Sequence, residues 1–108
     1  MVMTMIKVNL PDKCREEVLD ALKRFSQFTE ISSGSICCNI NRDVINHDTI
    51  LYLEEWQNRE DLERHIQSPK YRELLEIIEQ SMGKPEINFL TVSEIEGLEL
   101  VQKLRRKT

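Results

Sequence analysis

Residues 52–78 read YLEEWQNREDLERHIQSPKYRELLEII, and the change of period within them decides the fold. Leu51 and Leu53 alternate with Tyr52 and Glu54 up to Trp56, the two-residue repeat of a strand. After Asn58, a suitable N-cap, the repeat lengthens, and Leu62, His65 and Ile66 fall on one helical face. Ser68 and Pro69 restart the helix, since serine can cap it and proline fits the first helical position, where its missing N–H costs nothing. Tyr71, Leu74, Leu75, Ile78 and Met82 continue as an apolar stripe until Gly83 and Pro85 end it. The pattern predicts strand, short helix, bend and longer helix, with one histidine on the inward side.

The flanks complete the plan. Val2, Thr4, Ile6, Val8 and Leu10 share one face of a first strand, and Met3, Met5, Lys7 and Asn9 share the other. Asp12 is expected to cap a helix whose Glu16 and Glu17 suit the N-terminal dipole and whose Lys23 and Arg24 suit the C-terminal one. Its inward stripe is Val18, Leu19, Leu22 and Phe25. A Ser and Gly turn over 32–35 leads to a second strand, where Ile36, Cys38 and Ile40 alternate with Cys37, Asn39 and Asn41. A polar loop through Asp43, Asn46, His47 and Asp48 precedes the third strand, 49–56. The fourth strand is expected over 86–92, where Ile87, Phe89, Leu90 and Val92 indicate burial on both faces. The order is that of an α+β, ferredoxin-like βαββαβ sandwich. Residues 1–96 form this domain, and 97–108 an extension whose Leu98, Leu100, Val101 and Leu104 are too apolar for a free tail and should dock.

A chain of 108 residues holds one core and room for one small-molecule pocket. With 40% apolar and 31% charged residues, a disordered or fibrous chain is excluded. A net charge of −4 and dispersed basic residues argue against nucleic acid as a partner, since phosphates call for a basic patch. Cys14, Cys37 and Cys38 are odd in number and lack zinc-site spacing, so reduced thiols in the cytoplasm and no metal are expected. No apolar run approaches membrane-spanning length and no export signal is evident, so no membrane partner is expected. The helices can cover only one sheet face, while Met3, Met5 and Cys37 add apolar surface to the other. A second copy packed on that face, giving a two-fold homodimer, is the simplest cover.

The chemistry-bearing candidates gather in the quoted stretch. An imidazole that is neutral near about pH 7 suits proton removal from a phenol or enol, so His65 is the candidate catalytic base, expected at a pocket rim. The plainer alternative is a packing histidine bonded to a backbone carbonyl. Trp56 can stack on a flat aromatic ligand or fill the core, and Tyr52 and Tyr71 can donate to a carbonyl or dioxygen-derived oxygen. Leu62 shares their side and completes the candidate pocket. Asn9 and Asn39 fall on the opposite sheet face and are weak candidates for orienting a substrate. His47 is too isolated to join His65 in a metal site, and no phosphate loop, nucleophile motif or Cys-x-x-Cys pair is present.

Glu55 and Trp56, then Leu62 and His65, then Ser68, Pro69 and Tyr71 read as E-W, L-x-x-H and S-P-x-Y. In these motifs, and in strand order and length, the chain resembles the antibiotic biosynthesis monooxygenase family of dimeric α+β barrel proteins. The closing G-L-E-L-V from Gly97 is similar to a subset of uncharacterised relatives. The resemblance implies a dimer; known members include cofactor-independent quinol or polyphenol monooxygenases, haem-degrading enzymes, an isomerase of a phosphorylated signalling molecule and proteins without assigned activity. Leu75 stands where the haem-degrading branch carries its axial histidine and Ile6 where it carries an asparagine, so haem is not expected. Tyr52 replaces the asparagine of a polyphenol-oxidising branch. The reading that results is a cofactor-independent monooxygenase of a small quinol-like or enolisable aromatic substrate. The alternatives are a non-catalytic ligand-binding or structural dimer and a cofactor-free isomerase.

Overall fold

The computed structural model describes residues 1–106. Along the chain run β1 (Val2–Asn9), α1 (Arg15–Glu30), β2 (Ser35–Arg42), β3 (Thr49–Trp56), α2 (Arg59–Gln67), α3 (Tyr71–Ile78), β4 (Glu86–Thr91) and α4 (Leu98–Arg105). The strands form one antiparallel sheet in the order β2-β3-β1-β4. This is the ferredoxin-like arrangement read from the sequence, with the second helical segment divided into α2 and α3. The last two residues of the expected 97–108 extension lie outside the described residues.

The strand alternation sets the core. Register pairs Thr4 with Glu54, Ile6 with Tyr52 and Val8 with Ile50, so the inward rows of β1 and β3 run on into each other. Onto them α1 lays Val18, Leu19, Leu22, Phe25 and Thr29, and α3 lays Tyr71, Leu74, Ile77 and Ile78. A fully buried side chain such as Ile6, Leu22, Ile50 or Leu74 contributes about 1.5–3 kcal/mol. The exposed Arg59–Glu63 and Lys70–Glu73 pairs are each worth at most about 1 kcal/mol. Apolar burial therefore decides the fold.

The helix that carries His65 has well-defined ends. Asn58 Oδ1 accepts the Asp61 N–H at 3.0 Å, and Ser68 Oγ donates to the His65 carbonyl at 2.7 Å while its backbone turns extended. Ser68 thus closes α2 rather than capping α3, whose N-cap position, Lys70, makes no side-chain cap.

Several expectations are corrected. Cys14, not Asp12, holds the N-cap position of α1, and Asp12 accepts a hydrogen bond from Arg15. The helix runs past Lys23 and Arg24 to Glu30, because Thr29 continues the inward face one turn beyond Phe25, and no basic residue sits in its last turn. A register shift between Ser35 and Cys37 takes Ile36 out of the alternation and leaves it 49% exposed. Ile66, Leu75 and Met82 lie outward, and Ile77 takes the inward place given to Leu75. All six residues of β4, expected to be buried on both faces, are exposed, because β4 is an edge strand and no helix lies over it. No residue of α4 is buried by its own chain.

Gly34 has φ +85°, and a Cβ there would collide with the Asp61 carboxylate; Gly83 has φ +73° with nothing within 4 Å. Gly83→Ala should therefore cost only the left-handed conformation, about 1–2 kcal/mol. Gly34→Ala should cost measurably more, because Asp61 must also move away from its partner Arg64. Urea melts of the two variants check this, and equal losses would show that Asp61 yields freely.

Candidate functional site

β3 points Tyr52, Glu54 and Trp56 to the helix side, α2 brings Leu62 and His65, and α3 brings Tyr71; all six are buried. The sequence candidates therefore do converge. Their centre, however, is Glu54, a residue not among them. Its side chain is completely buried and takes three hydrogen bonds: Tyr52 Oη donates to Oε2 at 2.5 Å, Trp56 Nε1 to Oε1 at 3.0 Å, and His65 Nε2 lies 3.0 Å from Oε2. Thr29 Oγ1 adds contacts at 3.1 Å to Tyr52 Oη and 3.4 Å to His65 Nε2.

Burial by itself pushes the Glu54 carboxyl up. The hydrogen bond and charge of His65, with the Tyr52 and Trp56 donors, outweigh it and hold the group below the ordinary glutamate range. Glu54 is thus an anion at neutral pH, and an anion can only accept. His65 Nε2 must then carry the shared proton, which leaves Nδ1 as the ring's other nitrogen. Nδ1 is buried and has no hydrogen-bond partner. The Thr4 hydroxyl, opposite Glu54 in the sheet, is likewise buried without a partner.

Aromatic rings enclose the imidazole. Trp56 lies 4.6 Å from it, Tyr71 5.3 Å edge-on, Phe25 5.5 Å, and Phe28 5.7 Å in a stacked arrangement. The His65 side chain is only 1% exposed, so it is not at a rim as expected. Leu62 packs apart from the main core, with Val2 and Trp56. Burial first, and then the Glu54 charge, raises the phenols of Tyr52 and Tyr71 well above the ordinary tyrosine range. Both tyrosines therefore keep their protons at neutral pH.

His65, Trp56 and Phe28 wall a cavity of about 220 Å³ that opens between Ser32, Asp61 and Ser68. A larger concavity of about 590 Å³ lies on the outer sheet face, over Met5, Lys7, Leu51 and Glu86, away from the histidine. Of the two, only the smaller is walled by a histidine. Asn39 is exposed on the outer face, and Asn9 accepts from Thr49 at the sheet's end, so neither belongs to the site. Burial drives the Cys38 thiol up to about 12, and the Glu55 hydrogen bond is the main reason that Cys37 rises to about 11, so neither is a nucleophile. Among the described residues no three His, Cys, Asp or Glu side chains group as metal ligands would.

Glu54 and Thr29 were missed from sequence because a strand glutamate and a helix threonine read as solvent-facing. The signal for Glu54 was its parity: it shares the inward face with Tyr52 and Trp56, each two residues away and each carrying a donor.

A ferredoxin-like α+β domain with a buried acid–histidine pair beneath its helices is the class that fold and site define. A model of the antibiotic biosynthesis monooxygenase family matches residues 1–76, and the chain belongs to that family. An uncharacterized protein of Synechocystis sp. (strain ATCC 27184 / PCC 6803 / Kazusa) is 31% identical over 94 residues, covering 86% of this chain. The chain spans 63% of that relative's length. Among solved structures, a candidate antibiotic biosynthesis monooxygenase of Deinococcus radiodurans superposes with a TM-score of 0.82 at 15% identity, covering 90% of this chain and 97% of that one. A mutant of SnoaB, a cofactor-independent oxygenase of Streptomyces nogalater, gives 0.75 at 13% identity, covering 87% and 94%. At these identities the two likenesses establish the fold alone.

Glu54→Ala should destabilise the protein by at least about 3 kcal/mol, because Tyr52, Trp56 and His65 each lose a buried partner at about 1–3 kcal/mol apiece. Because the folded carboxyl lies below its unfolded value, its contribution is complete above the ordinary glutamate range of about 4.3 and is lost as pH falls through the depressed folded value. The stability gap between wild type and Glu54→Gln in urea melts should accordingly narrow on acidification. A gap independent of pH would mean that Glu54 is not an anion in the folded state.

Proposed function

We propose that this chain is a cofactor-independent monooxygenase of small phenols or enols, working as a homodimer in the cytoplasm. The observation that supports it best is the Glu54–His65 pair: the buried carboxylate holds Nε2–H and leaves the Nδ1 lone pair as the base. The adjoining cavity of about 220 Å³ suits a single-ring or two-ring quinol-like substrate, with Trp56 and Phe28 available to stack on it.

In the reaction, His65 removes the phenolic proton and the anion passes one electron to dioxygen. The two radicals join to form a peroxide on a ring carbon that carries hydrogen. The proton on that carbon passes to the distal peroxide oxygen as the O–O bond breaks and the C=O bond forms, and His65 gives the phenolic proton to the departing hydroxide to make water. Phenol plus dioxygen thus becomes a quinone-like dicarbonyl plus water, with every electron supplied by the substrate. The protein contributes proton transfer, orientation and exclusion of water.

The closure of the site favours a second reading, a dimer that binds a small ligand without transforming it, because the His65 side chain is 1% exposed. An isomerase would use the same base. The three free thiols support a reducing compartment. The half-buried outer-face row of Met3, Met5, Leu51 and Leu53 supports the dimer, and sedimentation should give twice the 12.8 kDa chain mass at micromolar concentration. A single-chain mass would remove it.

Turnover of a quinol, polyphenol and hydroxyketone panel with and without air tests the chemistry. Oxygen uptake matched by dicarbonyl product is expected; anaerobic turnover would assign the isomerase, and binding without turnover the non-catalytic dimer. His65→Gln keeps a donor for Glu54 but has no base, so the rate should fall about a hundredfold or more while the fold persists. An unchanged rate would remove His65 from the mechanism.

A further inference from the structure

Two apolar surfaces of this chain are left largely uncovered by the described residues. The first is α4, whose Leu98, Val101 and Leu104 recur along one side at 68%, 49% and 52% exposure. The second is the helix side of β4. Register sets Phe89 beside the buried Thr4 and Ile87 beside the buried Ile6, so both point to the helix side of the sheet. There α1 lies over β2 and α2 over β3, while Phe89 and Ile87 stay 48% and 41% exposed.

An eight-residue helix is well below the length that persists in water unaided, about 12–15 residues, so α4 needs a surface to lie on. Among the described residues none buries a side chain of α4. The radius of gyration, 16.2 Å against about 13 Å for a compact chain of this length, fits an arm that stands away from the domain.

We propose that α4 is an exchange arm whose Leu98–Val101–Leu104 side packs on the β4 strip of a second copy of this chain, around Ile87 and Phe89. Four features favour a second copy over any other occupant. Arm and strip are present in the same molecule, both are apolar, and the arm leaves from the end of β4 itself. Reciprocal exchange also closes under a two-fold axis and leaves no free end to propagate. The arm further protects the edge of a sheet that would otherwise be open to foreign strands. Through the register row Phe89, Thr4, Glu54, the landing strip borders the buried acid–histidine cluster from the side. The inference rests on the homodimer reading and adds to it which elements hold the two copies together.

The test compares the full chain with Val101→Glu/Leu104→Glu and with Phe89→Glu, using sedimentation over a concentration series and amide exchange across α4. Wild type should be a dimer with protected α4 amides. Each variant should weaken dimerisation about a hundredfold and release the α4 amides, and combining them should cost little more than either alone, because they remove the same contact. The fluorescence of Trp56, the sole tryptophan, reports whether each variant is folded. Val101→Ala/Leu104→Ala serves if the glutamates unfold the chain, and should weaken dimerisation in the same direction. A dimer whose α4 exchanges like a free peptide, or that is indifferent to the α4 variants, overturns the arm and leaves the sheet-face dimer standing. A monomer with protected α4 places the arm on its own strip and also overturns the proposal. A monomer with exposed α4 removes arm and dimer together.

Discussion

A carboxylate with no exposure to solvent must find its solvation within the protein, and that requirement organises the middle of this fold. Glu54 finds three donors from two elements: Tyr52 and Trp56 on its own strand, and His65 across the layer. Two of those donors are large aromatics, so meeting the charge also fills the space between sheet and helices. The histidine fixes the rotation of α2 about its axis, and Asn58 and Ser68 set that helix's ends. Were Glu54 absent, Tyr52, Trp56 and His65 would each retain a buried polar atom without its partner, at about 1–3 kcal/mol apiece. The polar cluster is thus a positioning device whose failure is expensive, and that expense favours a single arrangement over several.

Packing continues this arrangement across three strands and stops at the fourth. α1, α2 and α3 cover β2, β3 and β1, and the inward face of β4 is bare. In one chain this is an imbalance, since a small domain has little apolar surface to spare. It is also the reason that the sheet edge, the outer face and α4 call for a common account rather than three separate ones.

Most of the fold was legible because strand parity is a strong signal. The third strand was read with the limits it has in the structure, and the alternation of β1 named its inward side chains correctly. Failures arose where a local rule was overridden. The shift at Ser35 and Cys37 inserts an extra residue, and no alternation can foresee Ile36 turning out. In α3, Leu75 and Ile77 flank the stripe of Tyr71, Leu74 and Ile78 on opposite edges, and the helix turns its Ile77 edge to the core. The fourth strand looked doubly buried because apolar content was taken for burial within the chain. The site was half legible. Tyr52, Trp56 and His65 were found from residue type, whereas Glu54 was passed over because charge in a strand ordinarily means water. Parity outweighed charge here, and only the neighbouring donors make that possible.

The same bonds decide which wall of the site can move. Tyr52 and Trp56 are tied to Glu54, and displacing either one strips a donor from a buried anion. Phe28 has no such tie. It is partly buried, stacks on His65, and sits under Lys70, whose ammonium lies 5.9 Å from the ring centroid near the α2–α3 junction. A contact of that kind at a surface is worth about 0.5–1 kcal/mol, well below the cost of uncovering Glu54. Of the walls of the cavity beside His65, Phe28 is therefore the one that moves at least cost, while Trp56 stays fixed. If the open form makes up about 1% of molecules, a ligand that needs it binds about a hundredfold more weakly than its contacts alone would give. Burial of His65 and access to it are thus opposed in this fold, and the side chain that sets the balance between them is Phe28.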